Sequence, residues 1–432
     1  MNRFLYSTLF YLTTPLLILR LLWRSLRSPA YLKRWSERFA LYSSNPASDK
    51  VDIVFHAVSV GEVHAAVPLI NLLLDQQPSL RVLVSTSTPT GSSRVTDLLL
   101  PELIQHKVSH VYLPYDYPGA TKRFLLRFNP RLLVIMETEL WPNLLHACAT
   151  KGVKLLLANA RLSEKSLNNY KKINHLVETM LNQLDRVTAQ SLHDSERLQV
   201  LGLPQGKVEV AGNMKYDMTI NADQLQQAQQ DKKDFNGRPV LIAASTRAVD
   251  GVQEEAKILQ AYQHLLNSYP NLLLVLVPRH PERFNTVYEL ASKQGFSIAR
   301  RSNEGVADAG QQILLGDSMG EMHYYFGLAD IAFVGGSLVP SGCQNIIEPA
   351  ALGLPVITGP SLFNFQSVSD QLIEAGGLVK VANEKEFVET VQDLLGNREL
   401  RQTMGKAAQA SVQNNQGATT RNFQVIKELL GT

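Results

Sequence analysis

Twice along this chain, short unbroken runs of Val, Ile and Leu alternate with longer amphipathic stretches, and nothing else in the sequence restricts the fold as much. The first series is Val51–Val58, Arg81–Ser87, Val108–Leu113, Arg131–Glu137, Val153–Ala158, Asp185–Ala189 and Val208–Val210. The second begins past Pro239 with Val240–Ala244, Leu272–Val277, Phe296–Ala299, Gln312–Leu315, Ile331–Val334, Pro355–Ile357 and Leu378–Val381. Continuous apolar runs suit strands buried on both faces, and intervening helices suit a parallel sheet covered on both sides. The pattern predicts an α/β chain with two Rossmann-like, doubly wound domains, over 50–217 and 239–405, facing a cleft. A length of 432 residues also exceeds what one core supports. The stretch ADQLQQAQQDKKDFNGR (222–238) has no core of its own, so 218–238 reads as a helix and linker. The final residues, 406–432, read as helices, with a return to the first domain left open.

Charge separates the N-terminus from the body. Residues 1–40 carry seven Lys/Arg and one acid, Glu37, whereas the rest carries 35 bases and 38 acids. The basic excess sits at one end, so the body is not composed like a nucleic-acid binder. Sixteen uncharged residues, FLYSTLFYLTTPLLIL, lie between Arg3 and Arg20. As a helix they reach roughly 24 Å, short of the ~30 Å hydrocarbon core, and Pro15 breaks the run. A cleaved leader has its charges before the apolar stretch, whereas most here follow it. The segment reads as a retained membrane anchor, either a marginal span or a helix in the interface, with its cationic flank on the cytoplasmic leaflet. A buried core helix with a basic exit is the other reading. As an anchor, the segment sets location and takes no part in the chemistry, because the polar loop SSNPASDK separates it from the first motif. Cys148 and Cys343, the only cysteines, exclude a disulfide framework and fit a reducing compartment.

Ligands in doubly wound sheets bind beyond the carboxyl ends of the strands, so the loops there carry the chemistry. His56-Ala-Val-Ser-Val-Gly61-Glu62 follows the first strand of the body. Glu62 in a first helical turn suits a hydroxyl-accepting base, and capping by Ser59 or Glu62 explains the same residues. Ser85–Arg94, STSTPTGSSR, suits an anion or sugar hydroxyls, or again a cap. Glu137-Thr-Glu139 follows another strand, Asn159-Ala-Arg161 the next, and Gly212-Asn-Met-Lys215 ends the first half with a cation. The second half offers Ala244–Arg247, Val277-Pro278-Arg279-His280-Pro281, Gly316–Glu321 with Met319 and Gly320, Gly335-Gly336-Ser337, and Ser341–Pro349. In that last stretch a helix start near Asn345 suits a phosphate, and Glu348 suits a ribose diol. No GxxxxGK[ST], no GxGxxG after a body strand and no HExxH is present. Nucleotide hydrolysis, NAD and a zinc protease are disfavoured, and no metal is expected.

Together these words resemble the 3-deoxy-D-manno-octulosonic acid (Kdo) transferases of lipopolysaccharide assembly. The resemblance rests on HAVSVGE, STPTGSSR, LPYDYPGA, METELWPN, ANARLS, VPRHPERF, GDSMGE, AFVGGSLV and EPAALGLPVITGP, in order from residue 56 onward, with YLKRWSERF (31–39) before them. It implies a GT-B fold, an inner-membrane enzyme on the cytoplasmic side, and inverting transfer of Kdo from CMP-Kdo to a lipid A precursor. It also implies Glu62 as general base and Glu137 and Lys215 as transition-state stabilisers. CMP is then held by Pro278, Arg279, Met319, Gly320, Glu321, Asn345, Ile346, Ile347 and Glu348. Arg94 and Arg161 are candidate cations for the anionic acceptor. The chain departs from the family's wording twice. GGHNPLEP becomes a stretch with Gln344 and Ile346 in place of histidine and proline, and STHEGEE appears as Ser245–Gly251 with Arg247 in place of histidine. Two other readings share this fold: a transferase using a UDP-sugar and a polyprenyl acceptor, and a membrane-attached scaffold without catalysis.

Overall fold

The computed structural model describes residues 1–27, 29–42, 50–305, 307–308 and 310–431, except the side chains of Arg27 and Glu304. Of the polar loop SSNPASDK expected over 43–50, residues 43–49 lie outside the described residues. Two compact units form, one from Met1–Asp217 with Gln416–Thr432 and one from Met218–Asn415.

The first unit is a parallel sheet of β1 (Ile53–His56), β2 (Val82–Thr86), β3 (Val108–Tyr112), β4 (Leu132–Met136), β5 (Lys154–Ala160), β6 (Arg186–Ala189) and β7 (Val208–Val210). Its spatial order is β3-β2-β1-β4-β5-β6-β7. The strands are apolar at successive positions because both faces are covered. Val54, Leu83, Leu133 and Leu155 pack into one core, while Ile53, Val82, Leu132 and Leu156 pack into the other. β1 pairs with β2 on one side and β4 on the other, so the chain reverses direction across the sheet between β1 and β4. That reversal opens a crevice at the carboxyl ends of these two strands. The terminal helix Ala418–Leu430 completes the second core with Phe423, Val425 and Ile426, and the Asp217 carboxylate accepts from Gly417 N–H and Thr419 N–H at its start.

The second unit repeats the plan with β8 (Val240–Thr246), a small antiparallel hairpin β9 (Ala248–Val249) and β10 (Val252–Gln253), then β11 (Leu273–Pro278), β12 (Ile298–Arg300), β13 (Ile313–Leu315), β14 (Ile331–Val334), β15 (Val356–Thr358) and β16 (Leu378–Lys380). The order of its main sheet is β12-β13-β11-β8-β14-β15-β16, which puts the reversal between β8 and β14. The stretch read as a linker is part of this unit. Its helix, Ala222–Asp231, and the following turn bury Ala228 and Phe235 in the core, and Asp231 accepts a hydrogen bond from the Tyr324 hydroxyl at 2.7 Å. Two apolar side chains among glutamines are a weak pattern, yet they close that face of the sheet.

The N-terminal run is two helices, α1 (Arg3–Leu12) and α2 (Thr14–Arg27), bent by 52° across Thr13. Among the described residues no single helix is long and apolar enough to cross a membrane. One face of α1 is docked on the first unit: Tyr6 and Phe10 pack against its core, and the Ser7 hydroxyl donates to Asn143 Oδ1 at 3.0 Å. Phe4, Leu5, Leu9, Leu12, Leu16, Leu19, Leu22, Trp23 and Leu26 stay exposed.

Candidate active site

The crevice between β1 and β4 gathers the first unit's acids. The helix Val60–Gln76 starts directly after the β1 loop, and its N-terminal turn is closed reciprocally. Ser59 Oγ accepts from Glu62 N–H, and the Glu62 carboxylate accepts from Val58 N–H at 2.7 Å and from Ser59 Oγ at 2.8 Å. This is a variant of the capping box, with the carboxylate on the N–H one residue before the cap. Capping and catalysis therefore coincide at Glu62 instead of competing. The side chain is 7% exposed. Burial, with the nearby charges of Glu137 and Glu139, raises its carboxyl to about 7 against the opposing bonds from Val58 and Ser59. A base poised there is matched to proton transfer near neutral pH.

Glu137 follows β4 directly, with φ +56°. Non-glycine residues in the left-handed region cost roughly 1 kcal/mol or more, and such positions concentrate at functional sites. The turn aims the carboxylate at Lys215, whose Nζ lies 2.9 Å from Glu137 Oε1. Lys215 is held in turn by Asn213 Oδ1, which accepts its backbone N–H, and by Asn159 Oδ1, which accepts the N–H of Met214. Asn159 is also left-handed, at φ +53°, and fully buried. Glu62, Glu137 and Lys215, which stand on three separate loops, thus meet at one edge of one sheet.

The two candidate acceptor cations stand on different segments, Arg94 in the helix Pro89–Leu98 and Arg161 after β5. Arg94 donates through Nε to His64 Nε2 at 2.7 Å and lies 3.6 Å from Asp97. The Arg161 carbonyl accepts from the Thr138 hydroxyl, which ties that loop to the Glu137 turn.

In the second unit Arg279 leaves β11 beside the β8–β14 reversal. Its Nε donates to Gln344 Oε1 at 3.3 Å, so the residue standing at the family's histidine meets the expected phosphate ligand directly. Glu348 Oε1 accepts from Asn345 Nδ2 at 3.0 Å, and desolvation raises the Glu348 carboxyl to about 6. Three details of the structure bear on these expectations. Ile346 and Ile347 have fully buried side chains, so only their backbone can reach a ligand. The helix expected to offer phosphate its N–H groups is five residues long, Ile347–Ala351, and its first N–H already donates to Asn345 Oδ1 at 3.0 Å. Glu321 is engaged within the protein: Arg301 Nη2 lies 3.0 Å from it and Ser318 donates to it, while the Gly320 carbonyl accepts from Gln224 Nε2 at 2.8 Å and Met319 stays exposed. Pro278 is buried at the end of β11.

Two functional-looking residues escaped the sequence. Glu254 and Glu255 open the helix Glu254–Ser268 and are fully buried. Glu254 accepts the backbone N–H groups of Arg247, Gly336, Ser337 and Leu338. Glu255 pairs with Arg283 at 2.7 Å and accepts from the Thr246 hydroxyl. They fasten the loops after β8, β11 and β14 to one helix start. Reading STHEGEE against Ser245–Gly251 hid them, because the β9–β10 hairpin displaces the paired acids. Among the described residues no group of three His, Cys, Asp or Glu comes together as a metal site.

Residues 33–218 match the family described as 3-deoxy-D-manno-octulosonic-acid transferase (Kdo transferase), and residues 226–411 match glycosyl transferases group 1. A 3-deoxy-D-manno-octulosonic acid transferase of Haemophilus influenzae is 40% identical over 432 residues, covering 100% of this chain and 99% of that one. The chain belongs to the Kdo transferase family. Its Bordetella pertussis relative of the same description is 37% identical across 89% of each chain. Among solved structures, a putative UDP-N-acetylglucosamine 2-epimerase of Listeria monocytogenes superposes with a TM-score of 0.58 at 16% identity, over 88% of this chain and 96% of that one. That likeness concerns fold alone. The chain is a glycosyltransferase of GT-B fold with two Rossmann-like units, and membership in this family disfavours both the UDP-sugar–polyprenyl transferase and the non-catalytic scaffold.

Proposed function

We propose that the protein moves Kdo from CMP-Kdo to a hydroxyl of a lipid A precursor, with inversion, at the cytoplasmic face of the inner membrane. The observation that carries this reading is the buried Glu62 carboxylate, raised to about 7 and placed beside the Glu137–Lys215 pair at the sheet reversal. In the step proposed, Glu62 takes the acceptor hydroxyl proton while that oxygen bonds to the anomeric carbon. The bond from that carbon to the phosphate oxygen breaks, and CMP leaves with its electron pair. Lys215, held by Glu137, supplies a fixed cation at the reacting centre, and Arg279 faces the leaving phosphate. A preorganised donor of this kind typically contributes roughly 3 kcal/mol. No metal or other cofactor is used in this step. The exposed apolar face of α1 and α2 and the basic first 40 residues support a location at an anionic membrane, where the acceptor resides.

The test is an incubation of purified protein with CMP-Kdo and a tetra-acylated lipid A precursor, read by mass spectrometry. Mass gain by whole Kdo units is expected. Product only from a UDP-sugar and a polyprenyl acceptor would overturn the reading.

A base at about 7 also fixes a pH profile. Glu62 must be ionised to accept the proton, so kcat/KM should fall about tenfold per pH unit below roughly 7 and level off above it. An acid limb staying at pH 4 to 5, where an ordinary carboxylate titrates, would remove Glu62 from this role.

A further inference from the structure

We propose that Arg247 is a ligand of the donor's phosphate, supplying a permanent positive charge in the second unit's crevice. The proposal rests on the reading of a CMP-activated donor and adds a residue to that site.

The placement comes from topology. β8 lies at the reversal of the second sheet, with β11 on one side and β14 on the other. Arg247 stands immediately after β8, as the Glu62 loop stands after β1 in the first unit. Its side chain bridges the loops on both sides. Nη1 donates to Ser341 Oγ at 2.8 Å, on the loop after β14, and Nη2 meets His280 Nε2 at 3.2 Å, on the loop after β11. The guanidinium Nε is buried without a partner. Gly336, at φ +72°, makes room for this course, since a Cβ there would stand 3.5 Å from Arg247 Cδ and 2.7 Å from the Gly342 carbonyl oxygen.

The surrounding charges leave the guanidinium unneutralised. Arg283 is matched by Glu255 at 2.7 Å. Glu254, on the adjoining helix, accepts the backbone N–H of Arg247, and its other hydrogen bonds go to the N–H groups of Gly336, Ser337 and Leu338. His280 is kept neutral by burial and by the charges of Arg247, Arg279 and Arg283, so its Nε2 accepts from Arg247 and brings no counter-charge. Among the described residues no ion pair to Arg247 is found. An arginine whose Nη1 and Nη2 each hold one neutral partner keeps a second N–H on each for an anion, and its planar fork suits a phosphate. The short helix Ile347–Ala351 offers little to this role, because its leading N–H is bonded to Asn345 and Pro349 has no N–H. Leaving-group charge therefore falls mainly to side chains, and Arg247 joins Arg279. Where the family's wording has a histidine, this chain has a cation whose charge does not change between pH 5 and 8.

Calorimetric titration of the full-length protein with CMP and with cytidine tests the assignment, because the two ligands differ by the phosphate. R247Q should weaken CMP about 10- to 100-fold and leave cytidine unchanged, the range for losing a charged hydrogen bond. R247K should recover part of the loss. R247H should bind CMP better than R247Q below about pH 6.5 and no better above it. Comparing the two variants at each pH cancels the titration of CMP itself, Glu348 and His280. R247Q binding CMP like wild type, or losing CMP and cytidine equally, would overturn the proposal. Wild-type protein that binds cytidine 5′-phosphate no better than uridine 5′-phosphate would instead overturn the donor reading, and Arg247's role with it.

Discussion

Replacing Glu62 by Gln should lower turnover at least 100-fold and leave CMP affinity nearly unchanged. General bases contribute about 10²- to 10⁴-fold, and Glu62 is the acid whose surroundings fit the task. Its burial, with the adjacent Glu137 and Glu139 charges, raises its proton affinity, so a shared hydroxyl proton moves to it more readily than to an ordinary carboxylate. The residues proposed to hold CMP, Arg279 and Asn345 to Glu348 among them, stand in the second unit and Glu62 in the first, so the substitution removes none of them. The substitution also touches the capping box. Gln keeps one accepting oxygen where Glu62 uses two, for Val58 N–H and Ser59 Oγ. The stability loss should be about 1 kcal/mol, the usual worth of an N-cap, and too small to account for lost activity. Ser59→Ala separates the roles: it removes the cap's hydroxyl and keeps the base. It should cost similar stability while retaining most activity. Glu62→Gln retaining more than about a tenth of wild-type kcat would withdraw the base assignment.

What the sequence made legible follows from burial. Runs such as Leu132–Met136 and Leu273–Pro278 are buried at every position, and each was visible as an unbroken apolar stretch. The helix Ala222–Asp231 reads as a linker in sequence because only Ala228 and Asp231 on it are buried, and one of these is an acid. Loop chemistry was visible as residue types but not as pairings. Glu137 and Lys215 are 78 residues apart, and no periodicity predicts a 2.9 Å contact over that span. The left-handed backbone at Glu137, Asn159 and Ser245 was also invisible, since none is a glycine. Each ends or adjoins a strand at a carboxyl edge, where the chain must turn sharply to present a side chain. Glu254 and Glu255 are, in sequence, two acids with no partner spelled out nearby, and only the sheet topology shows three loops converging on them.

Deleting residues 2–20 should lower the melting temperature and reduce activity on detergent-dispersed acceptor, in addition to loosening membrane attachment. The sequence suggested that this segment sets location alone, and the packing of α1 argues otherwise. Arg3, Tyr6, Ser7, Phe10 and Thr14 form the docked face of the first helices. Arg3 Nη1 and Ser7 Oγ both donate to Asn143 Oδ1, at 3.2 Å and 3.0 Å, and Thr14 bonds to the Tyr117 hydroxyl at 2.7 Å. Asn143 is 1% exposed and starts the helix Pro142–Lys151, whose first N–H groups are held by Asp116. That helix begins only five residues after Glu137, so α1 supports the turn that carries the Lys215 partner. Removing it uncovers the Tyr117 ring, against which Phe10 packs at 5.0 Å, and strands Asn143. Lost burial of two aromatic side chains at roughly 1.5–3 kcal/mol each, plus about 1 kcal/mol per lost hydrogen bond, predicts a loss of several kcal/mol. At about 2–4 °C per kcal/mol the melting temperature should fall by around 10 °C or more. Polar replacement of exposed Phe4, Leu12, Leu16 and Leu19 should do the opposite, releasing protein from membranes while leaving its melting temperature and detergent activity intact. A truncated enzyme that melts and turns over like the full chain in detergent would reduce α1 to a tether, and the docked face would have no part in holding the catalytic turn.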